Sequence, residues 1–231
     1  MTLKHCLSLF ALLGLMVLAA CTYDDTRLDP KQLTTIVRES ISQRNAPPRD
    51  KDAIIEAASR EALSLTSPED PLASIQFDSV GIAAVLREIE KNGQHTVWAA
   101  WGSSDRKSIV TKNGMIAATR GLRKDLMSSE ADAVLDLVRN RKEGNVPYTL
   151  RYLDGDFVII EAKYTCTVER GYDKTVALAT GPVPALQMFS SCVSANRQFV
   201  DLFLVDRSGR ILEMRQWVGP VLGFAYMSQL R

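Results

Sequence analysis

From residue 72 to the C-terminus the chain consists of short apolar runs separated by turn-forming residues, a rhythm that suits antiparallel β structure. The spacing predicts strands over 72–80, 96–102, 107–112, 115–119, 148–153, 157–169, 176–179, 199–206, 210–218 and 224–230. Lys112-Asn113-Gly114-Met115 is the strongest hairpin signal, because Asn-Gly accepts the positive φ of a type I′ turn. Asp154-Gly155-Asp156 and Arg207-Ser208-Gly209-Arg210 read as similar turns. Residues 82–91 fit a helix or a strand equally well. One inserted helix is expected over 130–142, where Val134, Leu135 and Val138 share a face. The fold class that follows is mostly β, an antiparallel barrel or sandwich with N-terminal helices and one inserted helix.

Ahead of the β region lie two helix candidates. Residues 31–43 begin after Asp29-Pro30, a cap residue followed by a first-turn proline. Asn45-Ala46-Pro47-Pro48 ends that helix, and alanine-rich residues 52–65 form the second. Further upstream, Lys4 and His5 precede an almost wholly apolar stretch over 6–20. That stretch is short for a membrane span, which needs about 20 residues, and suits a signal peptide. It ends Leu18-Ala19-Ala20-Cys21, which looks like the lipobox of bacterial lipoproteins. In such signals the cysteine receives a diacylglycerol, cleavage frees its amine, and the amine is acylated. The expected organisation is a signal peptide over 1–20, a tether over 21–30, a helical segment over 31–71 and a β-rich domain over 72–231.

Cleavage would remove Lys4 and no acidic residue, so 28 basic against 27 acidic side chains become 27 against 27. A neutral chain has no general electrostatic attraction to nucleic acid or anionic lipid. Of the four cysteines, Cys6 is discarded and Cys21 lipidated, which leaves Cys166 and Cys192. In an oxidising compartment this pair forms a disulfide; the alternative is two buried thiols.

The chain offers little for catalysis. His95 is the one histidine left after cleavage, there is no Gly-x-Ser-x-Gly elbow, and Gly219-Pro220-Val221-Leu222-Gly223 lacks the lysine of a phosphate loop. Asp154 and Asp156 flank a glycine and read as turn formers. No catalytic residue, metal ligand or cofactor is expected. Two segments carry more than β structure requires: 117–127, with Thr119-Arg120-Gly121 and Asp125-Leu126, and 215–224, with Arg215-Gln216-Trp217-Val218-Gly219. Arginine beside tryptophan stacks on sugars or anchors interfaces, or else tryptophan fills the core and arginine pairs with an acid. Residues 110–120 and 205–215 match at valine, glycine, isoleucine and arginine, as two unrelated hairpins would or as a duplicated half-domain would. Arg120, Gly121, Arg215, Trp217 and Gly219 are therefore the candidate binding surface.

Ala118-Thr119-Arg120-Gly121-Leu122 with Asp125-Leu126-Met127, Arg151-Tyr152-Leu153-Asp154-Gly155-Asp156, and Arg215-Gln216-Trp217-Val218-Gly219-Pro220 with Leu222-Gly223 together resemble the YjbF/GfcB lipoproteins of group 4 capsule and exopolysaccharide systems. The lipobox and the cysteine pair fit as well, and the resemblance runs from about residue 72 to the end. It implies an outer-membrane, lipid-anchored, periplasm-facing lipoprotein and carries over no catalytic residue. The role expected is a non-enzymatic, accessory one in polysaccharide assembly or secretion, the alternatives being a polysaccharide-modifying enzyme or a general envelope scaffold. Its implied partners are an outer-membrane β-barrel protein, other polysaccharide-export proteins and the polysaccharide itself.

Overall fold

The computed structural model describes residues 50–104, 106–122, 124–153 and 158–231. The expected signal peptide, Cys21, tether and first helix lie outside these residues, as does the turn at 154–156. The second helix is present as α1 (Asp50–Leu65). Ile55, Ala58 and Ala62, spaced along one helical face, pack with Leu63 against Leu72, Val85, Trp101 and Leu230.

The remaining chain forms a single antiparallel sheet. Its strands are β1 (Leu72–Phe77), β2 (Ile82–Asn92), β3 (His95–Ala100), β4 (Ser108–Lys112), β5 (Met115–Arg120), β6 (Leu126–Glu130), β7 (Gly144–Leu153), β8 (Ile159–Leu178), β9 (Gly181–Val193), β10 (Gln198–Val205), β11 (Ile211–Gly219) and β12 (Gly223–Gln229). A helix, α2 (Asp132–Arg139), separates β6 from β7 and buries Val134, Leu135 and Val138. The order β5-β4-β3-β2-β1-β12-β11-β10-β9-β8-β7-β6 describes a nearly closed barrel rather than a sandwich. Pairing of β1 with β12 joins the first strand to the last, and the two sheet ends, β5 and β6, lie side by side.

Several sequence expectations are corrected. Residues 82–91 are strand. The inserted helix is shorter than 130–142 at both ends: Glu130 belongs to β6, and the helix stops at Arg139, with Arg141 at φ +54° just beyond it. Residues 159–169 and 176–178, from two separately expected strands, belong to one long strand, β8, which is bulged between Arg170 and Asp173. Gly171 lies within the bulge; a β-carbon there would sit 2.6 Å from Phe189 Cε2. Two strands went unpredicted. β6 is short and polar. β9 opens Gly181-Pro182-Val183-Pro184, a reading that argues against a strand. Its partner β10 begins pairing only at Leu186, so both prolines sit on an open edge where no N–H is needed.

Beyond the bulge the β8–β9 hairpin crosses the outside of the barrel. Val176, Leu178 and Ala185 cover Leu204 and Leu212, and the Ala179 N–H donates to the Leu230 carbonyl at 2.8 Å. Nearer the barrel, Cys166 and Cys192 face each other across β8 and β9 and are joined by a disulfide. They are separated by 26 residues. Closing such a loop stabilises the fold by about 3–4 kcal/mol through the unfolded chain. Changing both cysteines to alanine should therefore lower the urea-unfolding free energy by about that amount. Two reactive thiols in unreduced protein would contradict the bridge.

The up-and-down connectivity gives the barrel two distinct ends. Turns after β1, β3, β5, β7, β9 and β11 lie at one end. The start of α1 is there too, since the Gln76 amide near the end of β1 donates to Asp52 Oδ1 at 3.5 Å. Turns after β2, β4, β8 and β10, together with the C-terminus, lie at the other.

Candidate functional site

Arg120 and Gly121 belong to the seam between β5 and β6. The seam is laced by side chains. Asp125 is buried and accepts three hydrogen bonds: from the Thr119 hydroxyl at 2.8 Å, the Gly121 N–H at 3.0 Å and the Leu122 N–H at 3.1 Å. Thr119 Oγ1 in turn accepts the Leu126 N–H at 3.0 Å. The Arg120 guanidinium donates to the carbonyls of Thr119, Leu126 and Met127. Gly121 adopts φ +79°, a left-handed conformation that glycine takes without steric penalty.

Further down the seam the Gln216 amide reaches across the interior from β11. Its Oε1 accepts the Ile116 N–H at 2.8 Å, while its Nε2 donates to the Ile116 carbonyl at 2.9 Å and to the Tyr148 hydroxyl at 3.2 Å. The edge of β5 that faces away from β4 thus has its polar backbone at Ile116 satisfied by a side chain.

Arg215, Trp217 and Gly219 lie elsewhere. Cross-strand pairing sets Arg215 opposite Tyr226 and Trp217 opposite Phe224. Arg215 stacks 3.4 Å over the Phe224 ring, donates from Nε to the Tyr226 hydroxyl at 3.0 Å and from Nη1 to the Val200 carbonyl at 2.8 Å. Trp217 is packed between Phe199 and Phe224, with the Arg197 guanidinium 4.8 Å above it, and is only 8% exposed. Gly219, at φ +146°, lies against Tyr152. Arg215 and Trp217 thus share a cation–aromatic ladder, whereas Arg120 hydrogen-bonds to the β5–β6 seam and Arg215 to β10 and β12. The hairpins holding the two arginines also differ. Lys112 faces Met115 across a two-residue turn, but Val205 faces Ile211 across a five-residue loop.

Behind the ladder lies Asp201, fully buried on β10. Its Oδ1 accepts the Trp217 N–H at 2.7 Å. Burial pushes the carboxyl up to about 8, outweighing that bond and the nearby positive charge of Arg215.

A feature missed in the sequence is a cavity of about 440 Å³ at the end of the barrel opposite the start of α1. Lys91, Arg139, Arg210 and Arg231 line it, facing the carboxylates Glu69 and Glu88. The amides of Gln94, Asn113 and Gln229 add hydrogen-bonding groups, with Trp98 anchored beneath by a 3.0 Å bond to Thr111 Oγ1. A hydrogen bond from Ser67 holds the Glu69 carboxyl below the usual range. The four cations come from four distant segments, so no local motif announces them. Of them only Arg210 falls in a turn expected from the sequence, while Arg139 lies in the expected helix over 130–142. Among the described residues, no cluster of three or more His, Cys, Asp or Glu is placed to hold a metal ion.

Comparison with known proteins places these features in context. Residues 55–230 match the family described as group 4 capsule polysaccharide lipoprotein GfcB, YjbF. No curated protein sequence matches the chain. The crystal structure of the hypothetical lipoprotein YmcC from Escherichia coli is similar, with a TM-score of 0.63 at 16% identity, over 80% of this chain and 97% of that one. A protein with a YmcC-like fold from Bacteroides fragilis aligns at a TM-score of 0.28 and 10% identity, over 72% and 95% of the two chains. The first likeness shows a shared fold; the second carries no weight.

Proposed function

Because the chain belongs to the family of group 4 capsule polysaccharide lipoproteins, GfcB and YjbF, we propose that it is a non-enzymatic accessory protein of polysaccharide assembly or secretion. Lipid on Cys21 anchors it to the outer membrane, facing the periplasm, where it docks polymer and the proteins that export it, an outer-membrane β-barrel among them. The observation that carries this reading is the mouth cavity. Four cations against two carboxylates, beside amides and hydroxyls, suit a chain of hydroxyl- and carboxylate-bearing sugars. Glu69, held ionised by Ser67, is a poor proton donor at neutral pH, which favours binding over glycoside cleavage.

Lys91→Glu combined with Arg210→Glu should reverse the charge of the mouth without touching the barrel core. Binding of acylated full-length protein to polygalacturonate, read by affinity electrophoresis, should fall at least about tenfold while neutral dextran is unaffected. Secreted polymer should fall in parallel at unchanged protein level. Unaltered polygalacturonate binding and normal secretion would reject the cavity as the polymer site.

A further inference from the structure

Apart from polymer docking, the barrel end opposite the cavity carries a rim of exposed aliphatic side chains. Val158, Ile159 and Ile160, where the chain enters β8, are 54%, 55% and 37% exposed. Val193 at the end of β9, Val80 in the turn after β1 and Val221 in the turn after β11 add to the same end. So does Ile54, in the first turns of α1, which is 67% exposed. Of the other large apolar side chains exposed among the described residues, Leu65 and Ile89 lie toward the cavity end, and Tyr172 and Tyr226 are on the barrel wall. The bias is therefore toward one end, and it is spread over several separate turns. Exposed aliphatic side chains gathered at one end of a fold favour a contact there with protein or membrane.

The place where the chain enters the fold decides between them. Residues 22–49 join Cys21 to Asp50, and α1 begins at this same rim. Attachment of Cys21 to lipid would keep the rim at high effective concentration near the bilayer. Short aliphatic side chains on turns can enter the headgroup boundary without exposing strand edges to hydrocarbon. The geometry points to a membrane-seated protein: the aliphatic rim rests in the phospholipid interface, and the cationic cavity is held on the far side, open to the periplasm. This orientation rests on the lipid anchor proposed above.

A single added thiol reads the orientation directly, because Cys166 and Cys192 are bridged and acylated Cys21 is blocked. Acylated full-length protein carrying Ile159→Cys, Val221→Cys or, at the far end, Arg207→Cys would be labelled with a fluorophore and reconstituted into phosphatidylethanolamine–phosphatidylglycerol vesicles. Nitroxide-bearing lipids should quench both rim labels several-fold more than the Arg207→Cys label. Adding Val158→Asp and Val193→Asp should reduce rim quenching while the protein still floats with the vesicles. Equal quenching at both ends of acylated protein would overturn the orientation and leave the anchor intact. Shielding of the rim labels only when envelope proteins are added would assign the rim to a protein partner and overturn it as well. Absence of acyl chains at Cys21 by mass spectrometry would remove both the anchor and the orientation.

Discussion

Raising the pH from about 5 to about 8 should cost the folded protein about 4 kcal/mol, and Asp201→Asn should abolish most of that loss. The carboxyl is neutral in the fold up to about 8 because burial disfavours its charge. In the unfolded chain it ionises near its ordinary value of 3.8. Between these values the folded state holds a proton that the unfolded state has released, so stability falls as pH rises, by about 1.4 kcal/mol per pH unit. Above about 8 both states are ionised and the slope vanishes. Asp206 and Glu161 have lowered values and contribute with the opposite sign, but only at the acid end, where their carboxylates become protonated. Asparagine keeps the oxygen that accepts the Trp217 N–H and carries no charge in either state. At about pH 7 the variant should therefore be the more stable protein, by up to about 4 kcal/mol. Urea midpoints across the pH range test this. Parallel profiles for wild type and variant would mean that Asp201 is ionised within the fold.

Asp201 also marks a limit of reading the chain alone. In Phe199-Val200-Asp201-Leu202-Phe203, residues 199, 201 and 203 share one face of the strand, and the inward register of Phe199 and Phe203 puts the carboxyl inside. That conflict is visible in the sequence, yet its resolution by the Trp217 N–H depends on which strand lies beside β10. The hairpin at Asn113-Gly114 was legible because its chemistry is local. β9 was not, because the fault line is the point where β10 stops pairing, a property of the neighbour and not of Pro182 or Pro184. The seam shows the same division. Thr119-Arg120-Gly121 with Asp125-Leu126 stood out as more than a strand end. Their work as a side-chain lacing became definable only once β6, itself too polar and short to predict, was set beside β5. The mouth cavity was the least legible, since its cations converge from two hairpins, the end of α2 and the C-terminal residue. The resemblance to the capsule lipoproteins, by contrast, needed only contiguous residues, and it holds over residues 55–230.

The seam leads to the second large effect. Gln216→Leu should destabilise the protein by roughly 3–6 kcal/mol, although leucine fits the space and suits the core. The loss comes from the groups left behind. The Ile116 N–H faces no ladder partner, and the Tyr148 hydroxyl is fully buried. The Ile116 carbonyl keeps only the distant Ser129 hydroxyl, at 3.5 Å. Each such orphan costs about 1–3 kcal/mol. Gln216→Glu separates this account from simple loss of packing. A protonated glutamic acid can still accept from the Ile116 N–H and donate to the Ile116 carbonyl, whereas the carboxylate has no proton to donate and is a buried charge. The glutamate variant should approach wild-type stability at about pH 4 and lose it as the pH rises, with a slope steeper than that of wild type. Urea unfolding of the three proteins at two pH values is sufficient. A leucine variant within about 1 kcal/mol of wild type, or a glutamate variant with the wild-type pH slope, would mean that β5 and β6 close the barrel without the amide.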